Sequence, residues 1–382
     1  MKKILFKSAL LALAAPLFLA SCSSDSNEPN LPQNDPENFQ GIMLNIPQNI
    51  TRGLADDDEA TVNKLKVIVY DATSDSYSGT AAPYMVKDLS GDDVSGITLN
   101  PTYTSIPVAL PTGKYKLYLV ANIDGLNGIS VKVNNTAINW TSVTEEALKT
   151  AKIEGIGIVD NADVLSSATS RKYLPMGCAN STMKVDGNQL GNTGKIDVTS
   201  GSKTTVQADL KFCVAKVICT VVNKDFPSVS LTTPSISGNS STSGLVNDNN
   251  DRTSATGGDL PGAFYNLDSN GDLTTTTTTT PTTSATGWGW TGTFYIGENI
   301  YVDASNDAPR TTVTFDFDND TYDKTRIIGV VYNNAGEITQ VDGVKRGNLY
   351  QMTGTIKGKT LDVKVSVKPW TYSKTVQDLN EE

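Results

Sequence analysis

The chain has 382 residues, 31 basic and 41 acidic, for a net charge of -10. An acidic chain without a basic stripe and interleaved aromatics is not built to hold nucleic acid. The absence of histidine removes Ser-His-Asp and Cys-His nucleophiles and histidine-ligated metal sites.

Length predicts two domains of ordinary size. Abundant Gly, Thr, Ser, Asn and Val, with few helix-favouring runs, predict an all-β chain. At the N-terminus, Lys2, Lys3 and Lys7 precede an apolar run from Ala9 to Ala20. That run is too short to span a bilayer and reads as the core of a signal peptide. It ends in Leu19-Ala20-Ser21-Cys22, which resembles a bacterial lipobox. Residues 1–21 are therefore expected to be a lipoprotein signal peptide, with Cys22 carrying the lipid. Acyl chains hold a protein to a membrane through buried CH₂ groups, each adding about 0.8 kcal/mol. Ser23 to Asn38, rich in Ser, Asn, Asp and Pro, reads as a disordered tether.

Strand patterns follow. Ile42, Leu44 and Ile46 alternate within Gly41 to Ile50, the mark of a short amphipathic strand. An acidic loop, Thr51 to Glu59, contains Arg52-Gly53. Leu65 to Tyr70 is a strong β run, and Ile106 to Leu110 and Tyr115 to Ala121 are further strands. Only Val143 to Ile153 has a helical pattern. A second cycle begins near Thr204, with Phe212 to Val222 as its longest apolar strand. Ser237 to Gly287, rich in Ser, Thr, Asn and Gly, reads as long surface loops. Strands resume at Thr293 to Val302, Thr311 to Phe317, Ile327 to Tyr332, Leu349 to Ile356 and Leu361 to Trp370. In the last of these Leu361, Val363, Val365 and Val367 share one face, and Asp362, Lys364, Ser366 and Lys368 the other. Two β-sandwich domains meeting around residues 180–210 are expected.

Chemistry is sparse. Six residues of strand span about 20 Å, so Cys213 and Cys219 cannot bond to each other; either one pairs with Cys178, or the thiols are free and buried. Asp316 to Thr321 departs from the EF-hand pattern at Thr321 and Ile327 and reads as a solvated acidic turn, without a metal. Trp288-Gly289-Trp290 reads as sheet packing ahead of a sugar platform. No cofactor or catalytic residue is expected, although carboxylate pairs need not be close in sequence.

Several segments resemble the major fimbrillin (type V pilin) family. They are Thr51-Arg52-Gly53 through Lys64 to Tyr70, Gly113 to Asn122, Leu174-Pro175-Met176, and Lys345 to Tyr350 followed by the strand to Trp370. The resemblance implies two transthyretin-like β-sandwich domains in tandem, taken as residues 53–208 and 209–382, after a lipidated propeptide of residues 22–52. It implies a precursor anchored by lipid in the outer membrane and cut by an arginine-specific protease between Arg52 and Gly53. The cut removes the first strand, with Ile42, Leu44 and Ile46, and leaves an apolar groove. A donor strand carrying Leu361, Val363, Val365, Val367 and Trp370 then fills the groove of another copy. The implied partners are further copies in a head-to-tail filament and anchor and tip subunits, and the implied end point is an adhesive fimbrium of shaft subunits. The competing reading is a surface lipoprotein that does not polymerise and binds glycan or host protein through a β-sandwich.

Overall fold

The computed structural model describes residues 39–47, 62, 64–90, 103–124, 129–157, 174–191, 194–225, 228–248, 255, 257–270, 272–277, 287–301, 310–332, 338–357 and 360–369. The regular structure of the described residues is nearly all strand, with one short α-helix, as the composition predicts.

The first half is two packed sheets. One has strand order Asn188–Gln189, Lys184–Val185, Lys203–Gln207, Gly41–Pro47, Tyr103–Ala109. The other runs Lys211–Phe212, Met176–Cys178, Gly113–Ala121, Lys64–Asp71, Met85–Ser90, with Ile196–Val198 paired onto Gly113–Ala121. Lys64–Asp71 is buried from Leu65 to Tyr70 on both faces, which explains its nearly continuous apolar sequence. Lys66 is the exception in that run. It is buried, paired with Asp88 across the strands, and its Nζ lies 5.4 Å from the centre of the Trp140 ring. Its long stem packs while its charge finds a partner.

The helical pattern is realised only over Glu145–Lys149, capped by the Thr144 hydroxyl, which accepts from Ala147 N at 3.2 Å. The expected extension to Ile153 gives way to a strand, Lys152–Glu154, pulled into a small sheet with Ser130–Val133 and Thr242–Gly244. A helix of this length has little stability of its own, so ladder pairing takes the following residues.

The second half has a six-stranded sheet in the order Leu273–Thr277, Ala263–Leu267, Trp288–Ile296, Ala215–Asn223, Asn348–Lys357, Thr360–Pro369. A four-stranded sheet, Gly258–Asp259, Ser235–Ser237, Thr312–Phe315, Lys324–Ile327, accompanies it. Trp288 and Trp290 are buried in this half's core, and Trp288 Nε1 donates to Val229 O at 2.9 Å. They are packing residues, as the sequence suggests.

Two further expectations need correction. Phe212 to Val222 is not one strand: Lys211–Phe212 pairs with Met176–Cys178, whereas Ala215–Asn223 belongs to the six-stranded sheet. The chain changes sheets at Cys213 and Val214, which still fill the first core, while Ala215 enters the second. A continuous apolar run hides such a break because both ends are buried. Nor is Ser237 to Gly287 only surface loop. It contains Thr242–Gly244, Gly258–Asp259, Ala263–Leu267 and Leu273–Thr277; Leu245 and Val246 fill the first core, and Leu260 and Phe264 the second. The backbone of a polar segment pairs as well as any other when a few apolar side chains anchor it.

Cys178, Cys213 and Cys219 are free and buried. Burial pushes the Cys178 thiol up to about 12, opposed by a hydrogen bond with Thr182, and the Cys213 thiol up to about 11, opposed by the nearby Arg346.

Candidate functional site

The site is built around the first strand, Gly41–Pro47, which is an interior strand. It pairs in parallel with Lys203–Gln207, from Gly41 opposite Lys203 to Asn45 opposite Gln207. On its other side it pairs antiparallel with Tyr103–Ala109, from Gly41 opposite Ala109 to Pro47 opposite Tyr103. Among the described residues Tyr103–Ala109 ends the sheet and has the first strand as its ladder partner.

Alternation sends Ile42, Leu44 and Ile46 into the first core, where Ile106, Val108, Leu110, Val206 and Ala208 are also buried. Burying three such side chains contributes roughly 5–9 kcal/mol before ordering costs. Polar contacts fix the register. Gln40 Nε2 donates to Leu110 O at 3.2 Å and its Oε1 accepts from Gly201 N at 3.1 Å. Asn45 Oδ1 accepts from the Ser105 hydroxyl at 2.7 Å, and Asn45 O accepts from Ala208 N at 3.0 Å.

Gly41 is required where it stands. Its φ is 149°, and a Cβ there would lie 2.2 Å from Val108 O. Neither Gln40 nor Gly41 was singled out by the sequence pattern; a glycine at the head of an alternating run was the available signal.

The structure thus gathers Ile42, Leu44 and Ile46 in one seat. Cys22, Arg52, Gly53 and Trp370 lie outside the described residues. The other expected elements, Leu361, Val363, Val365 and Val367, lie in the second half on Thr360–Pro369. That strand folds back on Asn348–Lys357 in a hairpin, from Leu361 opposite Ile356 to Val367 opposite Tyr350, and ends the sheet among the described residues. Burial falls along it: Leu361 and Val363 are buried, Val365 is half-buried, and Val367 is 40% exposed. The two arrays share an alternating aliphatic pattern and are placed in different halves of the molecule.

Residues 49–211 match the family model described as Major fimbrial subunit protein (FimA). Over those residues, fewer than half of the chain, the sequence is similar to the fimbrillin family. Among solved structures, the C-terminally truncated tip fimbrial protein Mfa3 from Porphyromonas gingivalis is similar at 16% identity and a TM-score of 0.47, over 86% of this chain and 99% of that one. A fimbrial assembly protein from Parabacteroides distasonis is similar at 14% identity and a TM-score of 0.47, over 86% of this chain and 98% of that one. A search of curated proteins found no match.

Proposed function

We propose that the chain is a shaft subunit of a surface fimbrium, without enzymatic activity, that polymerises by strand exchange. The observation that carries this reading is the place of the first strand. It fills a sheet between Lys203–Gln207 and Tyr103–Ala109, and it precedes the Arg52-Gly53 pair in sequence. Hydrolysis after Arg52 would free that strand together with lipid on Cys22. Its loss would leave unpaired N–H and C=O groups above an apolar trench, a template for an added strand.

The donor in this reading is the last strand of another copy. Leu361, Val363, Val365 and Val367 repeat the period of Ile42, Leu44 and Ile46, and four buried aliphatic side chains supply roughly 6–12 kcal/mol before ordering costs. Donor and seat are separate surfaces, so contacts run head to tail and a filament grows. Export as a lipidated outer-membrane precursor, processing by an arginine-specific protease and assembly with anchor and tip subunits complete the reading. Mass spectrometry of the mature surface protein tests it. An N-terminus at Gly53 is expected; a surface form still lipidated at Cys22 would sink the shaft assignment and favour the non-polymerising lipoprotein.

A further inference from the structure

The chain holds two Arg-Gly pairs, Arg52-Gly53 and Arg346-Gly347. The structure treats the second in a way that no sequence pattern indicates. Arg346 is 2% exposed. Its Nη1 donates to Leu245 O at 2.9 Å, its Nη2 to Val246 O at 2.6 Å, and its Nε to Asp248 Oδ1 at 3.2 Å. Asp248 is held in turn by Lys211 at 2.8 Å. The bond that follows Arg346 is tied down as well. Gly347 N donates to Val214 O at 2.9 Å, and Gly347 has a φ of 67°, far from the extended backbone in which peptidases take their substrates.

Of the groups around the guanidinium, Leu245 O, Val246 O and Asp248 Oδ1 come from one short segment, residues 245–248, and Cys213 Sγ, at 3.8 Å from Nη1, comes from the chain's passage between sheets. Leu245 and Val246 of that segment fill the first core, whereas the strand that begins at Asn348 runs into the second sheet. The cage is therefore closed only while that segment is seated between the two halves.

We propose that Arg346–Gly347 is a latent cleavage site for an arginine-specific peptidase, closed by the seating of residues 245–248 and open in molecules where that seating fails. Hydrolysis there adds one water: the Arg346 carbonyl carbon takes the hydroxyl, the Gly347 nitrogen takes the proton, and the C–N bond between them breaks. The piece cut away, residues 347–382, contains both strands of the last hairpin, Asn348–Lys357 and Thr360–Pro369. A misdocked molecule would lose its last hairpin, so the site removes faulty chains from assembly. The inference takes from the proposed function only the arginine specificity of the peptidase and the role of the hairpin.

The test is limited digestion of the purified full-length chain with an arginine-specific endopeptidase, followed by intact-mass analysis. Wild type should release residues 347–382 only slowly. Asp248→Ala and Leu245→Ala, which loosen the cage from its polar and its apolar side, should each release that fragment about tenfold faster or more. The bonds after Arg310 and Arg326 should stay intact in both. Unchanged release in both variants, or equally fast cutting after Arg310 and Arg326, overturns the proposal. A fragment beginning at Gly53 in the same digest bears on Arg52 alone, so failure of the processing model is scored separately.

Discussion

Glu145 accepts a hydrogen bond from the Tyr118 phenol at 2.6 Å, and its carboxylate is almost wholly enclosed. Tyr77 donates to the same carboxylate at 2.7 Å, Lys149 lies at 2.7 Å and buried Lys116 at 3.2 Å. This knot pins the short helix to Gly113–Ala121. Replacing Glu145 with Ala takes the carboxylate away from a buried ammonium and two phenols. The expected cost is roughly 3–5 kcal/mol, read by urea denaturation; a change under 1 kcal/mol would show that the knot is not structural.

The same group sets a pH dependence. Burial alone pushes the Glu145 carboxyl up, but hydrogen bonds from Lys149, Tyr118 and Tyr77 outweigh it and hold the group at about 2 against an ordinary 4.5. A depressed carboxylate contributes its stability in full above the unfolded value and loses it as pH falls through the folded one. Stability should therefore decline from about pH 5 toward pH 2, more steeply in wild type than in Glu145→Gln. Parallel curves for the two proteins would contradict the assignment.

Gly41→Ala should act on the precursor alone. The added methyl meets Val108 O and a backbone of positive φ, at a cost of about 1–3 kcal/mol. The protein shortened to begin at Gly53 lacks the position and provides the reference for the pair. Thermal unfolding of the precursor and its variant checks the difference.

Trp288→Ala should destabilise the second half by about 3–5 kcal/mol through a core cavity and the loss of the bond to Val229 O. Calorimetry should show the transition of the second core moving to lower temperature while one assigned to the first core stays in place.

Removing residues 361–382 tests the donor. Exported protein should remain detectable and filaments should vanish from electron micrographs; filaments of normal length would refute the role of Leu361 to Val367. Arg52→Ala addresses the trigger separately, with lipidated precursor expected to accumulate.

Local pattern carried much of this architecture. The period-2 alternation of Leu361 to Val367 and of Ile42 to Ile46 marked strands correctly, because side chains on a pleat have only two directions. Leu65 to Tyr70 was legible as a strand for a different reason, being covered on both faces. Pairing was not legible. That Gly41 would sit opposite Lys203, far along the chain and in parallel, is decided by closure of the sheet and leaves no local mark. The break at Cys213 and Val214 was hidden because burial continues through it. The burial of Arg346 was not legible either, since the segment that cages it, residues 245–248, lies about a hundred positions away in a stretch that reads as surface loop.

One consequence of the first strand's position is mechanical. Among the described residues, Tyr103–Ala109 and Lys203–Gln207 are joined in the sheet by the strand between them, so whatever occupies that seat also stitches its two neighbours together. A filler pulled along its own axis would be loaded in shear, with rungs on both flanks sharing the force and failing together. The same filler lifted from one end would unzip rung by rung. A joint of this design resists tension far better than peeling.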